Sequence, residues 1–241
     1  MIEPNYTLFA VSNRRPTEDY YCLDAWERTT EGTHKLAVGG IGTEYQGLFD
    51  KPKFMYRAIK YGLIKTDFII ACDCWDLFFV AKPEEIIEVF KTFDTEIVFS
   101  SERTCFPPKQ KEEYDKLPYT SSYRYLNSGM IVGYTQSVLK LLEAMDVESV
   151  PDDYWDNDHM VHFNDQEFYL DWFLKQPVPM KLDYQQKICT SLHGVDISEL
   201  DFSEDDVMVK ETNSFPCVFH MNGSAKSGNC RRPLLEHYKL V

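Results

Sequence analysis

Two carboxylates and one imidazole stand where apolar segments of the chain end. Asp73 and Asp76 follow the apolar residues 68–72, and His220 closes the apolar segment 217–220. Charge at the mouth of an apolar sheet is costly unless it is compensated, and a divalent cation that bridges to a diphosphate compensates it. Carboxylate oxygens favour Mg²⁺ or Mn²⁺, and imidazole binds Mn²⁺ as well as zinc. The residues alone leave two interpretations open: a cation site, or a turn cap at the two acids beside a hydrogen-bonded histidine at the edge of the core.

The loop after His220 carries a positive charge that would suit a phosphate. Lys226 follows His220 by six residues in the polar segment HMNGSAK, and its amine would neutralise phosphate oxygens. Three cysteines could join His220 in a zinc site instead. Because alternate residues of a strand face opposite sides, however, Cys72 would point away from Asp73. We therefore disfavour a zinc protein, which would carry stoichiometric zinc after purification.

The segments that must position these residues alternate between short apolar runs and amphipathic stretches. This alternation predicts an α/β fold with a mostly parallel central sheet flanked by helices, in which ligands gather at the carboxyl ends of the strands. We expect strands at residues 6–12, 36–42, 67–73, 96–101, 126–134, 178–182 and 217–220, and helices at 18–28, 53–61, 83–93, 136–145 and 165–175. The acidic stretch 196–211 is expected to form solvated loops or helix faces.

The composition limits the class of partner. The 241 residues suit one domain of ordinary size, and 25 Lys plus Arg against 39 Asp plus Glu give a formal net charge of −14. This charge repels phosphate backbones, so non-specific nucleic-acid binding is disfavoured. No apolar run approaches the ~20 residues of a membrane span, and no secretory leader is visible. We therefore expect a cytoplasmic protein, in the host cytoplasm if it is viral, with no membrane partner.

Common phosphate-binding and hydrolase motifs are missing from the sequence. Residues 39–42 read GGIG, but Tyr45 stands where a dinucleotide-binding fingerprint has its third glycine. Neither a GxSxG segment nor a Walker A lysine motif occurs. Rossmann oxidoreductases, the commonest hydrolases and phosphate-loop proteins are therefore disfavoured.

Six sequence blocks follow one another in order: VGG at 38–40, DCWD at 73–76, SSERTCFP at 100–107, YLNSGMIVGY at 125–134, DQEFY at 165–169 and HMNGSAK at 220–226. With these blocks the chain resembles the glycosyltransferase domain of the procollagen lysyl hydroxylase family, which moves galactose or glucose from a UDP-sugar onto hydroxylysine. The correspondence runs from about residue 36 to residue 229. The resemblance implies a GT-A fold, and we expect residues 1–241 to form a single GT-A domain.

The resemblance also implies a role for each residue of the candidate site. The metal ligands, for Mn²⁺ or Mg²⁺, would be Asp73, Asp76 and His220. The UDP-sugar donor would be bound by Trp75 stacking on uracil, by Asn222, Gly223 and Lys226 along the diphosphate, and by Lys53, Tyr56 and Ser12 nearby. The residues expected at the transfer step are Asn127, Asp165 and Gln166 around the sugar and acceptor, and Glu102, with Phe106, at the acceptor mouth.

Three positions depart from the family pattern. Asn164 stands where the family has an aspartate, so Asp165 must act without an acidic neighbour. Phe106 stands at a usual tryptophan and Met221 at a usual glycine, and both differences would reshape the acceptor opening. No hydroxylase domain follows the blocks, which suggests a bacterial, viral or phage context in which the acceptor need not be collagen.

We therefore expect a metal-dependent glycosyltransferase that moves a hexose or pentose from a UDP-sugar to a hydroxyl group, with the retention of anomeric configuration that the family's glucosylation step implies. One candidate acceptor is hydroxylysine or galactosyl-hydroxylysine in a collagen-like protein. Another is a hydroxymethylated pyrimidine in phage DNA, which requires a basic strip built from Arg14, Arg15, Arg57, Arg231, Arg232 and nearby lysines. A hypothesis of another class is an inactive sugar-nucleotide-binding module, which Asn164 would permit.

Overall fold

The structure, a computed structural model, describes residues 5–12, 36–44, 46–151 and 164–240. Its strands are β1 (Tyr6–Val11), β2 (Leu36–Gly39), β3 (Phe68–Cys72), β4 (Leu77–Phe79), β5 (Ile97–Glu102), β6 (Tyr125–Tyr134), β7 (Met180–Leu182), β8 (Cys189–Ser191), β9 (Leu200–Phe202), β10 (Val207–Val209) and β11 (Val218–His220). Its helices are α1 (Asp50–Lys60), α2 (Pro83–Lys91), α3 (Lys111–Asp115), α4 (Thr135–Ala144), α5 (Asp165–Lys175) and α6 (Arg231–His237), with 3₁₀ turns at Pro108–Gln110, Ile197–Glu199 and Gly223–Ser227.

A nine-stranded sheet organises these elements in the order β2-β1-β3-β6-β5-β8-β11-β4, with β7 beside β5. Neighbouring strands are parallel except at the β3–β6, β5–β6 and β4–β11 pairs. Only β4 and β6 therefore oppose the other strands of this sheet, and the predicted mostly parallel α/β sheet is confirmed. The carboxyl ends of β3, β5 and β11 and the amino end of β6 consequently meet at one edge.

The buried strand β3 shows how the sequence covers both faces of the sheet. All five of its residues are buried, and successive side chains enter different hydrophobic clusters. Ile70 packs into a cluster with α2, α6 and the β9–β10 pair, whereas Ile69 packs into a second cluster with α1, α4 and α5. A strand covered by helices on both faces requires this continuous apolar run.

Helix α2 illustrates the local sequence signals. Pro83 occupies its first turn, where a missing amide proton costs nothing, and Lys91 lies in the last turn, where a positive charge suits the helix dipole. Ile86, Ile87 and Phe90 form its buried face against the sheet. This helix matches the segment predicted at 83–93, with an end two residues earlier.

Two further sequence predictions concern the segments 18–28 and 196–211. The predicted helix at 18–28 lies outside the described residues. The acidic stretch 196–211, expected as solvated loops or helix faces, is so only in part: residues 203–206 form an exposed loop, but β9 and β10 form an antiparallel pair around it. Leu200, Val207 and Val209 of this pair are buried, while Asp201 on β9 is exposed. Strands of three residues are too short to show a periodic pattern, and the high acidic content concealed them.

In the described ranges, no helix combines the length and the apolar character needed to cross a membrane.

Candidate active site

Asp73, Asp76 and His220 come together at the edge where the parallel strands end. Asp73 directly follows β3, and His220 is the last residue of β11. Since His220 pairs with Leu77 of β4, the preceding Asp76 lies beside the imidazole. His220 Nε2 lies 3.6 Å from Asp73 Oδ2 and 3.5 Å from Asp76 Oδ1. The three side chains can offer ligand atoms within 4.8 Å of one another, as a single cation requires.

The donor set of this cluster fits a divalent cation. The His220 ring is 2% exposed, and its Nε2 finds no hydrogen-bond partner among the described residues. Buried polar nitrogens are nearly always partnered, so one that faces two carboxylates suits a cation ligand. Asp73 and Asp76 are 35% and 13% exposed, which leaves a path from solvent. Two carboxylates and one imidazole suit Mn²⁺ or Mg²⁺.

The electrostatics of His220 point the same way. Burial by itself lowers the pKa of His220, but the nearby charges of Asp76, Asp73 and Glu102 outweigh it and raise the pKa above its ordinary value. The acids that attract a proton to the ring would equally attract a cation.

Gly129 in β6 provides the space for the imidazole. A Cβ atom at this position would lie 2.1 Å from Cε1 and 2.6 Å from Nδ1 of His220. The Gly129 carbonyl also accepts the Asp73 backbone N–H at 2.8 Å. This glycine therefore positions two of the three candidate ligands. Sequence reasoning missed it, although it lies inside the quoted YLNSGMIVGY block.

Lys51 near the start of α1 is a further residue that sequence reasoning missed. Its Nζ lies 2.6 Å from Asp73 Oδ1 and 3.0 Å from Asp165 Oδ2, and it donates to the Ser128 carbonyl at 2.8 Å. Burial works against the charge on Lys51, but Asp165 and Asp73 more than offset it and raise its pKa above the ordinary value. Lys51 thus joins a candidate metal ligand to the candidate catalytic acid.

Lys53 and Tyr56, which were predicted near the pyrophosphate, have other neighbours. The Lys53 ammonium donates to the carbonyls of Val150 and Pro151, at 2.6 and 3.0 Å. Tyr56 is buried in the cluster beneath α1, with Lys60 Nζ 5.9 Å from the centre of its ring. The donor-binding role of these two residues stays a prediction.

Asp165 begins α5, and the unusual Asn164 caps this helix. The Asn164 side chain accepts the Gln166 backbone N–H at 2.9 Å, and Asp165 Oδ1 accepts it at 2.8 Å. Asparagine is among the best N-cap residues, so the departure from the family pattern preserves the helix start. Burial raises the pKa of Asp165, Lys51 lowers it and Asp73 raises it, and the net result is above the ordinary value.

Glu102 at the end of β5 accepts hydrogen bonds from three amides. Asn127 Nδ2 and Gln166 Nε2 donate to its Oε1 at 3.0 and 2.9 Å, and Asn222 Nδ2 donates to its Oε2 at 3.0 Å. Burial raises the pKa of Glu102 above its usual range, although the bonds from Asn127 and Gln166 act to lower it. This carboxylate joins β5, β6, α5 and the loop after β11, so these predicted site residues form one buried network.

The remaining predicted residues lie around this network. Gln166 Nε2 also donates to the carbonyl of Phe106, whose side chain is 56% exposed. Trp75 is half-buried against the core, between Asp73 and Asp76 in the chain. Ser12 is buried just after β1, and its N–H donates to the Gly39 carbonyl at 3.0 Å.

The loop after β11 is shaped by a contact with His193. The His193 backbone N–H donates to Asn222 Oδ1 at 2.9 Å. Gly223 has φ +53°, and a Cβ there would lie 2.7 Å from His193 Nδ1. Glycine is therefore required both for the backbone and for the approach of the ring. Lys226 lies in the 3₁₀ turn of this loop, and its side chain is outside the described part of the structure.

A mostly parallel α/β sheet with a carboxylate and imidazole cluster at its carboxyl edge is the arrangement of a GT-A glycosyltransferase. The chain belongs to the family described as the PLOD GT domain, whose model matches residues 27–229. The family predicted from the six sequence blocks is thereby confirmed.

Known proteins similar to the chain agree with this assignment. It is 27% identical over 243 residues to chicken procollagen-lysine,2-oxoglutarate 5-dioxygenase 1, covering 89% of this chain and 31% of that protein. It is 30% identical over 161 residues to uncharacterized protein R699 of Acanthamoeba polyphaga mimivirus, covering 66% and 32%. The chain thus spans about a third of the length of these relatives.

The fold is also seen in a solved structure. Mouse xyloside xylosyltransferase 1, in its apo form, superposes with a TM-score of 0.55 at 13% identity, covering 91% of this chain and 98% of that chain. At this identity the likeness concerns the fold, and it agrees with the predicted GT-A architecture.

Proposed function

We propose that this chain is a divalent-metal-dependent glycosyltransferase that moves a hexose or pentose from a UDP-sugar to a hydroxyl acceptor. One observation carries the proposal: the buried, unpartnered Nε2 of His220 faces Asp73 and Asp76 at the ligand-binding edge of a GT-A sheet. Asp73, Asp76 and His220 would hold Mn²⁺ or Mg²⁺. When bound, such a cation neutralises the diphosphate as it leaves.

The donor would lie along the loop after β11 and across β3. Trp75 offers a half-buried aromatic face for the uracil base, next to the candidate ligands in the chain. Asn222, Gly223 and Lys226 would line the diphosphate, because their loop directly follows His220. The positive φ of Gly223 lets the backbone approach a phosphate closely.

Asp165 would orient the donor sugar or the acceptor hydroxyl. Its carboxylate lies 3.0 Å from Lys51 Nζ, and Lys51 also lies against Asp73, so sugar and cation sites share one counter-charge. A fixed distance between these acids would keep the reacting groups aligned, which supplies much of the rate in transfer reactions. We propose retention of anomeric configuration on the family resemblance alone.

We favour a hydroxylated protein, of the hydroxylysine type, as acceptor. Modified DNA needs a basic strip, but Arg57 lies on α1 against one face of the sheet and Arg231 and Arg232 begin α6 against the other. Arg14 and Arg15 are outside the described residues. The formal net charge of −14 also opposes a nucleic-acid acceptor.

Release of UDP from a panel of UDP-sugars tests the proposal. We expect release in the presence of Mn²⁺, loss of release after chelation, and stimulation by a hydroxylysine-containing or galactosyl-hydroxylysine peptide. Nucleotide binding without turnover, for every donor and acceptor, would instead indicate the inactive binding module. Stimulation by hydroxymethylated duplex DNA, lost at high salt, would move the acceptor to the DNA class.

A further inference from the structure

The orientation of the Asn127 side chain is fixed by two neighbours of opposite character. The Gly129 backbone N–H, which can only donate, lies 2.9 Å from Asn127 Oδ1. The Glu102 carboxylate lies 3.0 Å from Asn127 Nδ2 and also binds the amides of Gln166 and Asn222, so it acts as an acceptor. If the Asn127 amide were reversed, its Nδ2 would face the Gly129 N–H, which is also a donor, and its Oδ1 would face the Glu102 carboxylate, which is also an acceptor. Asn127 Oδ1 is therefore an acceptor.

This orientation determines where the proton of His220 lies. His220 Nδ1 is 3.1 Å from Asn127 Oδ1. Two acceptors cannot form a hydrogen bond, so Nδ1 must carry the proton. In the neutral ring the lone pair is then on Nε2, the atom that faces Asp73 and Asp76. Without the bond from Nδ1, a proton on Nε2 would instead be attracted by these two carboxylates.

We propose that Asn127 and Glu102 are positioning residues that hold His220 in its Nδ1–H tautomer and so direct the Nε2 lone pair at the cation site. This inference rests on the proposed function for the identity of the site, but the tautomer is a property of the metal-free protein. Glu102 acts through Asn127, and Asn127 acts through the ring. Histidine ligands of metals are generally fixed in this way by a partner on the other ring nitrogen.

The hydrogen bonds of Asn127 and Glu102 support positioning over direct contact with an acceptor. Asn127 and Glu102 are each 5% exposed, and their side-chain polar atoms are bonded within the protein. Gln166 is fixed likewise, because its Nε2 donates to the Phe106 carbonyl at 2.6 Å and its Oε1 accepts from the Ser128 N–H at 3.1 Å. The sequence resemblance had suggested the acceptor mouth for Glu102.

Two measurements test the proposal: the ring ¹⁵N shifts of His220 in metal-free protein, recorded over a pH series that reaches the neutral ring, and the Mn²⁺ affinity measured by the EPR signal of free Mn²⁺. Wild type should show a proton on Nδ1 and a bare Nε2. Asn127→Leu should place the proton mainly on Nε2 and weaken Mn²⁺ binding about 10- to 100-fold. Asn127→Asp keeps an acceptor for Nδ1–H and should keep the wild-type tautomer.

Gln186→Leu is the matched control. This variant removes a fully buried amide whose partners are Ser101, Asp183 and Ser191, so it reproduces a loss of packing without touching the His220 ring. It should leave both the tautomer and the Mn²⁺ affinity unchanged. If Asn127→Leu does not fold, Asn127→Ala replaces it, since it also removes the Oδ1 acceptor and should shift the ring proton in the same direction. Glu102→Gln tests the second residue: the Gly129 N–H alone would then orient Asn127, so part of the Nε2–H tautomer should appear.

The outcomes separate this inference from the proposed function. A wild-type ring with its proton on Nε2, or a tautomer that is indifferent to Asn127→Leu, would overturn the inference even if Mn²⁺ binds. A wild-type Nδ1–H ring that shifts as expected in Asn127→Leu, in a protein that binds no Mn²⁺, would support the positioning role of Asn127 and contradict the metal-dependent function.

Discussion

Lys51 Nζ lies 3.0 Å from Asp165 Oδ2, and both side chains are buried at the point where α1 and α5 approach the end of β3. The same ammonium group lies 2.6 Å from Asp73 Oδ1. One lysine therefore balances an acid expected at the metal and an acid expected at the sugar. Removing one partner of a buried ion pair leaves an uncompensated charge, which is strongly destabilising.

Lys51→Met should abolish most turnover, because Asp165 loses both its charge partner and its fixed position. We expect a loss of about 100-fold or more in kcat, the scale of an ångström-sized misplacement. The comparison variant is Lys53→Met, which removes the lysine bonded to the Val150 and Pro151 carbonyls. Steady-state kinetics of both variants decide between the two lysines. A larger loss of kcat in Lys53→Met than in Lys51→Met would favour the sequence-based prediction that Lys53 binds the donor.

Gly129→Ala should displace the His220 ring and weaken Mn²⁺ binding at least tenfold, because the new Cβ would lie 2.1 Å from Cε1. A contact this short forces the ring or the strand to move. Gly228→Ala is the control, since its Cβ would meet its nearest neighbours at ordinary distances of 3.4 to 3.6 Å. Calorimetric Mn²⁺ titrations of both variants measure the difference. Equal affinity in Gly129→Ala and wild type would remove His220 from the ligand set.

Asp183 gives a pH dependence of stability that is independent of the site. Burial raises the pKa of Asp183 to about 7, although the backbone N–H groups of Cys189, Lys187 and Ile188 lower it. A folded-state pKa above the unfolded one means that the folded protein binds the proton more tightly. The contribution of this carboxyl to stability is therefore fully present below about pH 4 and is lost as the pH rises through about 7.

Asp183→Asn removes this titration and should change the pH profile. The free energy of unfolding of wild type should fall relative to that of the variant by up to about 4 kcal/mol between about pH 4 and pH 7. Urea denaturation at several pH values measures it. Asp201→Asn, at an exposed carboxyl on β9, is the control and should run parallel to wild type. Parallel profiles for Asp183→Asn and wild type would mean that Asp183 is ionised throughout.

The sheet could be predicted because its local signals are strong, and the grouping of Asp73, Asp76 and His220 could be predicted from the family resemblance. The buried strand β3 has no polar residue before Asp73, and the six blocks keep their order. The sequence could not show which of Lys51 and Lys53 lies at the candidate site. Residues two apart on a helix point about 200° apart, so only the packing of α1 shows that Lys51 faces the acids. The sequence predicted a start for this helix at residue 53, but the helix begins at Asp50, which places Lys51 within it.

Other features escaped prediction because they depend on contacts distant in the chain. The short strands β4 and β8 have three residues each and gain their stability from β11 between them. The role of Gly129 is visible only once His220, about ninety positions later, packs against it. The bonds that Glu102 accepts from three amides likewise join four separate segments, and no spacing rule in the sequence connects them.

UDP binding by calorimetry, with Mn²⁺ and after chelation, tests the central claim most directly. Asp73, Asp76 and His220 would hold a cation that in turn holds the nucleotide diphosphate, so UDP should bind saturably with Mn²⁺ and lose most of its affinity without it. Asp76→Ala should behave like chelated wild type while remaining folded, because removing one of two neighbouring acids relieves repulsion. UDP affinity that is unchanged by chelation and by Asp76→Ala would contradict the account.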